Sequence, residues 1–242
     1  MPLEEFDYIV DVVPGAWAEM EQTGAWQRMA IVRVHLLEYM SAAYALRDAK
    51  IFQNACDAFL DYRFAKSRVM VPTRAQIAPD LALAVSRGRM DETRDTCAMV
   101  LSRSDLADDE PAAAFCADIL AALIDLDYHR AEESSTRLVQ QCEAKKFSKF
   151  ESSLFGHWAR TAAMIARRDD SVLNKQFENI ADVRRVHIDR GLVRWKSGQP
   201  SQLDATDFWD WLTTALASIA QSFGYRFETN EFADYNWTQE LN

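Results

Sequence analysis

Between Ala25 and Lys50 the apolar residues Met29, Val32, Leu36, Tyr39, Ala43 and Leu46 return every three or four positions, and Phe52, Ala55, Phe59 and Tyr62 carry the pattern through Ile51 to Val71. That period lays them on one stripe of an α-helix. No stretch alternates β-branched and polar residues between turn signals, which is what a half-buried strand requires. Only 7 Gly and 6 Pro interrupt 242 residues. The pattern predicts an all-α fold, with at most a minor β element near the C-terminus.

Pro72 and Pro79 flank an expected interruption, the natural place for a boundary between two helical layers within a single domain spanning residues 1–242. Beyond it, short polar turns at Arg87-Gly88-Arg89, Asp127-Tyr128-His129 and Arg168-Asp169-Asp170 recur at a spacing of roughly 40 residues. This spacing predicts three antiparallel helical hairpins stacked side by side, as in an α-solenoid or bundle. The segment from Ala82 through Gly88 to Cys97 resembles one unit of a tetratricopeptide-type repeat, with small residues before the turn and an amphipathic helix after it. Pro111 opens the next hairpin as a first-turn proline, and the preceding acids Asp108, Asp109 and Glu110 suit a helix N-terminus. Near the C-terminus Phe208, Leu212, Ala215, Ile219 and Phe223 keep helical spacing, which sets Trp209 and Trp211 on the flanks of the stripe.

Charge changes the picture at the two ends. Residues 1–24 carry six acids and no base, and residues 201–242 carry seven acids against Arg226 alone, whereas the net charge of the whole chain is −10. The 176 residues between them are therefore close to balance. Acidity confined to the ends reads either as solvated termini or as a surface for a basic partner. Trp195, Trp209, Trp211, Tyr225, Phe227, Phe232, Tyr235 and Trp237 crowd the last 48 residues. Tryptophan beside acids is the composition of an interface anchor, and equally of a partly buried helix edge.

Other chemistries find little footing. An acidic pI near 4.9 argues against direct nucleic-acid binding, which needs clustered Lys and Arg. The longest core-like run, Phe115 to Ile124, is broken by Asp118 and is too short for a membrane span. The acidic start MPLEEFDYIV does not read as a secretory signal, so a cytoplasmic protein is expected. Cys56, Cys97, Cys116 and Cys142 lack paired spacing and sit in apolar helical contexts, as buried free thiols do. His35 precedes Glu38 and His129 precedes Glu132 by three residues, on one helical face, but the Glu-x-x-His order of a di-iron bundle does not occur. No nucleophile elbow or glycine-rich phosphate loop is present. No catalytic residue, cofactor or metal is expected.

One phrase remains. Asn174, Phe177, Arg184 and His187 lie on one predicted helix; Phe208, Leu212, Ala215 and Ala220 lead to Gly224; then follow Phe227, Glu228, Asp234 and Tyr235. This arrangement resembles a family of immunity proteins from bacterial polymorphic toxin systems (Imm49), as does the central pair around Leu83-Ala84-Val85, Arg89-Met90 and Cys97. The tail departs from that pattern where Asn236-Trp237, and not a proline, follows Tyr235. The resemblance implies a helical cytoplasmic protein that neutralises a cognate toxin by non-catalytic occlusion. With the acidic, aromatic end, it makes Asp204, Asp207, Asp210, Glu228, Glu231 and Asp234, with Trp209, Trp211, Tyr235 and Trp237, the expected contacts to a toxin with a basic surface. The alternative is a repeat scaffold holding a peptide or protein partner in the groove of its hairpins, around Arg87, Tyr128 and His129. The helix Ala25 to Lys50 packs either internally or across a homodimer.

Overall fold

In the computed structural model the described residues are Met40, Gln53, Cys56, Asp57, Phe59, Leu60 and positions 74–102, 111–198 and 210–227. They form α1 (Arg74–Ser86), a 3-10 turn (Met90–Thr93), α2 (Arg94–Ser102), α3 (Pro111–Ile124), α4 (Tyr128–Glu143), α5 (Lys149–Arg167), α6 (Leu173–Lys196) and α7 (Trp211–Ser222). No strand occurs among these residues, and the all-α expectation holds. The three hairpin units are α1 with α2, α3 with α4, and α5 with α6, turning at or near the polar interruptions; the last two pack helix on helix, whereas α1 and α2 are joined through the 3-10 turn and both pack on α3. The second turn lies two residues earlier than expected, because Asp127 caps α4 and accepts the Arg130 N–H at 3.1 Å.

One difference concerns Pro79. The sequence placed it at an interruption, but α1 runs through it from Arg74. Pro79 is the sixth residue of α1, so its missing N–H removes one intrahelical hydrogen bond, that to the carbonyl four residues back, within the first two turns. Burial offsets that loss: Ile77, Ala78, Leu81 and Ala82 are fully buried around it. The Pro79 side of the expected layer boundary thus falls inside a helix.

Helix ends follow a common device. Gly88, Leu126, Lys145, Arg168 and Gly224 all have positive φ, between 55° and 89°. In each case the next N–H reaches back five residues, as from Arg89 to the Ala84 carbonyl at 2.8 Å and from Asp127 to that of Ala122 at 2.9 Å. These are left-handed C-caps, a conformation glycine adopts without strain. Three of the five use other residues, each at a cost of roughly 1–2 kcal/mol.

The hairpins stack as successive repeats. α3 packs on both α1 and α2, and α5 packs closely on α4. α7 then lies against α1, α3 and α5, the leading helices of the three hairpins. It is buried all round, from Leu212 through Ala220. The sequence stripe assigned it one apolar face, and its tertiary position gives it none that is wet. Its small residues Ala215, Ala217, Ser218 and Ala220 allow the neighbouring helices to approach, and Thr214 returns its hydroxyl to the Asp210 carbonyl at 2.7 Å.

Asp118, the break in the apolar run of α3, has a structural use. Its carboxylate accepts from Arg130 Nη2 at 3.0 Å and from Ser134 Oγ at 2.7 Å, while Arg130 Nη1 donates to the Leu101 carbonyl at 2.7 Å. This cluster joins α2, α3 and α4 at a point where a buried charge needs partners. Cys56, Cys97, Cys116 and Cys142 are buried and free, as their contexts predicted. Burial pushes the Cys97 thiol up to about 11 and raises the other three as well.

Candidate binding surfaces at the end of the last helix

α7 stops at Phe223, and the chain turns away through Gly224 at a φ of 89°. An aromatic cluster holds the exit. Phe223 meets Tyr128 edge-on at 5.9 Å, and the Arg168 guanidinium lies 3.3 Å from the Phe223 ring centre and 5.1 Å from that of Tyr128. Arg168 Nη2 also donates to the Tyr128 hydroxyl at 2.7 Å. Phe227 packs edge-on against Phe177 of α6 at 5.0 Å and against Tyr225 at 5.1 Å. Residues 223–227 are thereby fixed on the second and third hairpins; the acidic segment 228–242 follows them in the sequence.

Beside Phe223 opens a groove of about 560 Å3, between the 3-10 turn with α2 on one side and the α3–α4 turn on the other. Its apolar lining includes Met90, Ile124, Leu126, Ile219 and Phe223. Asp91, Asp95 and Asp125 stand exposed on the rim. Arg94 also lines it, and its guanidinium is engaged by Asp91 at 2.7 Å. Leu126 is 59% exposed, which makes it one of the few large apolar residues open to solvent among the described residues.

A second groove of about 480 Å3 has the opposite sign. It runs between the start of α5 and the middle of α6, where Phe150 and His187 stack in parallel at 3.9 Å, with Lys149, Arg190, Val183 and Val186 around them. Its single acid, Asp182, is paired with Arg185. The two grooves thus differ in the sign of the charge around them.

Of the expected contact residues, two are described. Asp210 caps α7, accepting the Thr213 N–H at 3.0 Å, and its other oxygen lies 3.4 Å from Arg184 Nε with both side chains largely buried. That carboxylate serves the fold from inside. Trp211 is half-buried against the core. Asp204, Asp207, Trp209, Glu228, Glu231, Asp234, Tyr235 and Trp237 lie outside the described residues. The residues that carried the family resemblance include two anchors of the same region: Phe177 receives Phe227, and Arg184 reaches the α7 cap.

The positions considered for a peptide groove are dispersed. Arg87 is largely buried beside Asp57 at 3.3 Å, Tyr128 belongs to the aromatic cluster, and His129 is exposed. The Arg167 guanidinium, 2.6 Å away, holds the Glu132 carboxyl below the usual range, and the Ser171 hydroxyl and N–H do the same for Asp169. Among the described residues no group of three His, Cys, Asp or Glu is arranged to hold a metal ion, and no helix is long and apolar enough to cross a membrane.

The groove was not legible beforehand. Asp91 and Asp95 share a helical face at a four-residue spacing, but nothing in the sequence brings Asp125 and Phe223 to them. Comparison of the chain with protein-family models, with curated proteins and with solved structures finds no match.

Proposed function

We propose that this protein is an immunity-type inhibitor that captures a basic protein toxin in the cytoplasm and blocks it by occlusion. One observation carries the reading: the end of α7 puts the acid-rimmed groove and the anchored root of the acidic, aromatic tail side by side. Charge of one sign over such a surface steers a basic partner toward it, and aromatic anchors slow its release. The resemblance of the C-terminal third supports a toxin as that partner. Neither nucleic acid nor membrane is part of this reading. The repeat-scaffold alternative draws support from the stacked hairpins, but the face made by their leading helices is occupied by α7. A peptide seated there would have to displace a helix buried on every side.

The test is co-expression with the product of the adjacent upstream gene, scored by host survival and by co-purification. Survival together with a stable complex is the expected result. A toxic neighbour that kills despite co-expression, with no complex formed, rejects the reading.

A further inference from the structure

We infer that the groove beside Phe223 is a docking site for a basic amphipathic helix of a partner protein, which seats apolar side chains on Leu126, Met90 and Phe223 and sets lysines or arginines against Asp91, Asp95 and Asp125. The inference rests on the protein-binding reading above and specifies the chemistry of the bound segment. Two features of the groove decide the occupant. The first is its composition: an apolar floor at the bottom of a volume of about 560 Å3, with Leu126 left 59% exposed at its edge. Water gains nothing from such a floor, and a partner's apolar side chains remove it from solvent.

The second is charge. Three carboxylates stand on the rim against one guanidinium, and Arg94 is already engaged by Asp91. Asp95 and Asp125 have no ion pair among the described residues. An apolar segment flanked by lysines or arginines satisfies both features, and an acidic one satisfies neither. A helix fits better than an extended strand, because α2 presents exposed Asp95 and Ala98 three residues apart on one side, with Asp91 of the preceding 3-10 turn beyond them. Ala98 is exposed and small, so a second helix can lie close along it. The groove has no sheet edge to offer an extended chain.

The full-length protein is titrated with a synthetic amphipathic peptide of leucine and lysine, and with the same peptide bearing glutamate for each lysine, by calorimetry at low and at physiological ionic strength. Two variants accompany it. Leu126→Asn removes the apolar edge while placing in the left-handed position a residue that tolerates it, so folding is preserved. Asp95→Lys with Asp125→Lys reverses the rim at two exposed positions. The lysine peptide is expected to bind the wild-type protein, to bind each variant about tenfold more weakly, and to lose affinity with added salt. No binding of the lysine peptide, equal binding of both peptides, or equal binding by the variants overturns the inference. So does a wild-type dimer that Leu126→Asn splits, since the occupant would then be a second copy. Peptide binding without toxin neutralisation leaves the groove standing and removes the immunity reading; neutralisation untouched by both variants does the reverse.

Discussion

Helices α6 and α7 stand at opposite extremes. α6 has 24 residues and α7 has 12, yet the shorter one is the interior. α6 buries Leu173, Phe177 and Ile180 in its first half, then passes along the start of α5 with Val186 47% and Val193 66% exposed. α7 is enclosed by α1, α3 and α5 from Leu212 to Ala220. Both contain apolar residues at helical spacing. What differs is the surroundings among the described residues: α6 packs along α5 as its main helix neighbour, whereas α7 meets three helices, and the stacking of the hairpins sets that difference.

Truncating the two helices breaks or confirms that contrast most sharply. Leu216→Ala should lower stability by about 2–5 kcal/mol, because a fully enclosed site cannot collapse around the lost atoms. Val193→Ala should change it by less than about 0.5 kcal/mol. Urea denaturation measures both, and similar losses at the two sites would refute the enclosed placement of α7. Asp118→Ala comes next, at about 1–3 kcal/mol, since it leaves Arg130 and Ser134 without their shared acceptor. Asp210→Ala should cost about 1–2 kcal/mol by removing the α7 cap. Asp210→Asn should recover most of that loss while removing the charge facing Arg184, which separates the cap from the ion pair.

The pH dependence of the interior gives a smaller effect. The Cys97 thiol moves from 9.0 to about 11 on burial, so the unfolded chain ionises first. Its contribution to stability is full below pH 9 and is lost as pH rises from 9 to about 11, with the other buried thiols acting in the same direction. Denaturation midpoints across that range should fall, and Cys97→Ala should flatten the fall. A curve indifferent to pH above 9 would contradict the burial. The smallest change concerns Leu126→Asn, which should leave stability unchanged or raise it by up to about 1 kcal/mol by relaxing the left-handed cap. A clear loss would mean that Leu126 serves the fold.

Much of this architecture was legible. Gly88 and the Arg168-Asp169-Asp170 interruption marked two of the hairpin turns, Asp127-Tyr128-His129 marked the other within two residues, and Pro111 marked the start of α3. The left-handed conformation at Leu126, Lys145 and Arg168 was not visible, because none of these residue types advertises it. Pro79 misled for the opposite reason: a local breaker was overridden by the buried residues on either side of it. The candidate site was less legible still. Asp210 looked like part of an acidic surface and serves as a cap, while Asp91, Asp95 and Asp125 looked unremarkable and share a rim.

Among the described residues the sequence by itself determined most of the elements, since hydrophobic period, polar turns and the scarcity of breakers act over a few residues at a time; the helices expected over Ala25 to Lys50 and Ile51 to Val71 lie almost wholly outside the described residues. It also determined where net charge accumulates, which is a count. Only the tertiary structure decided that α7 fills the face made by the leading helices, that Asp118 and Asp210 are occupied inside, and that an apolar groove opens beside Phe223. Those outcomes depend on contacts between different helices, from 12 positions apart in the chain for Asp118 with Arg130 to over a hundred for α7 with α1, where burial arises from the packing of whole helices and no local pattern specifies the neighbour.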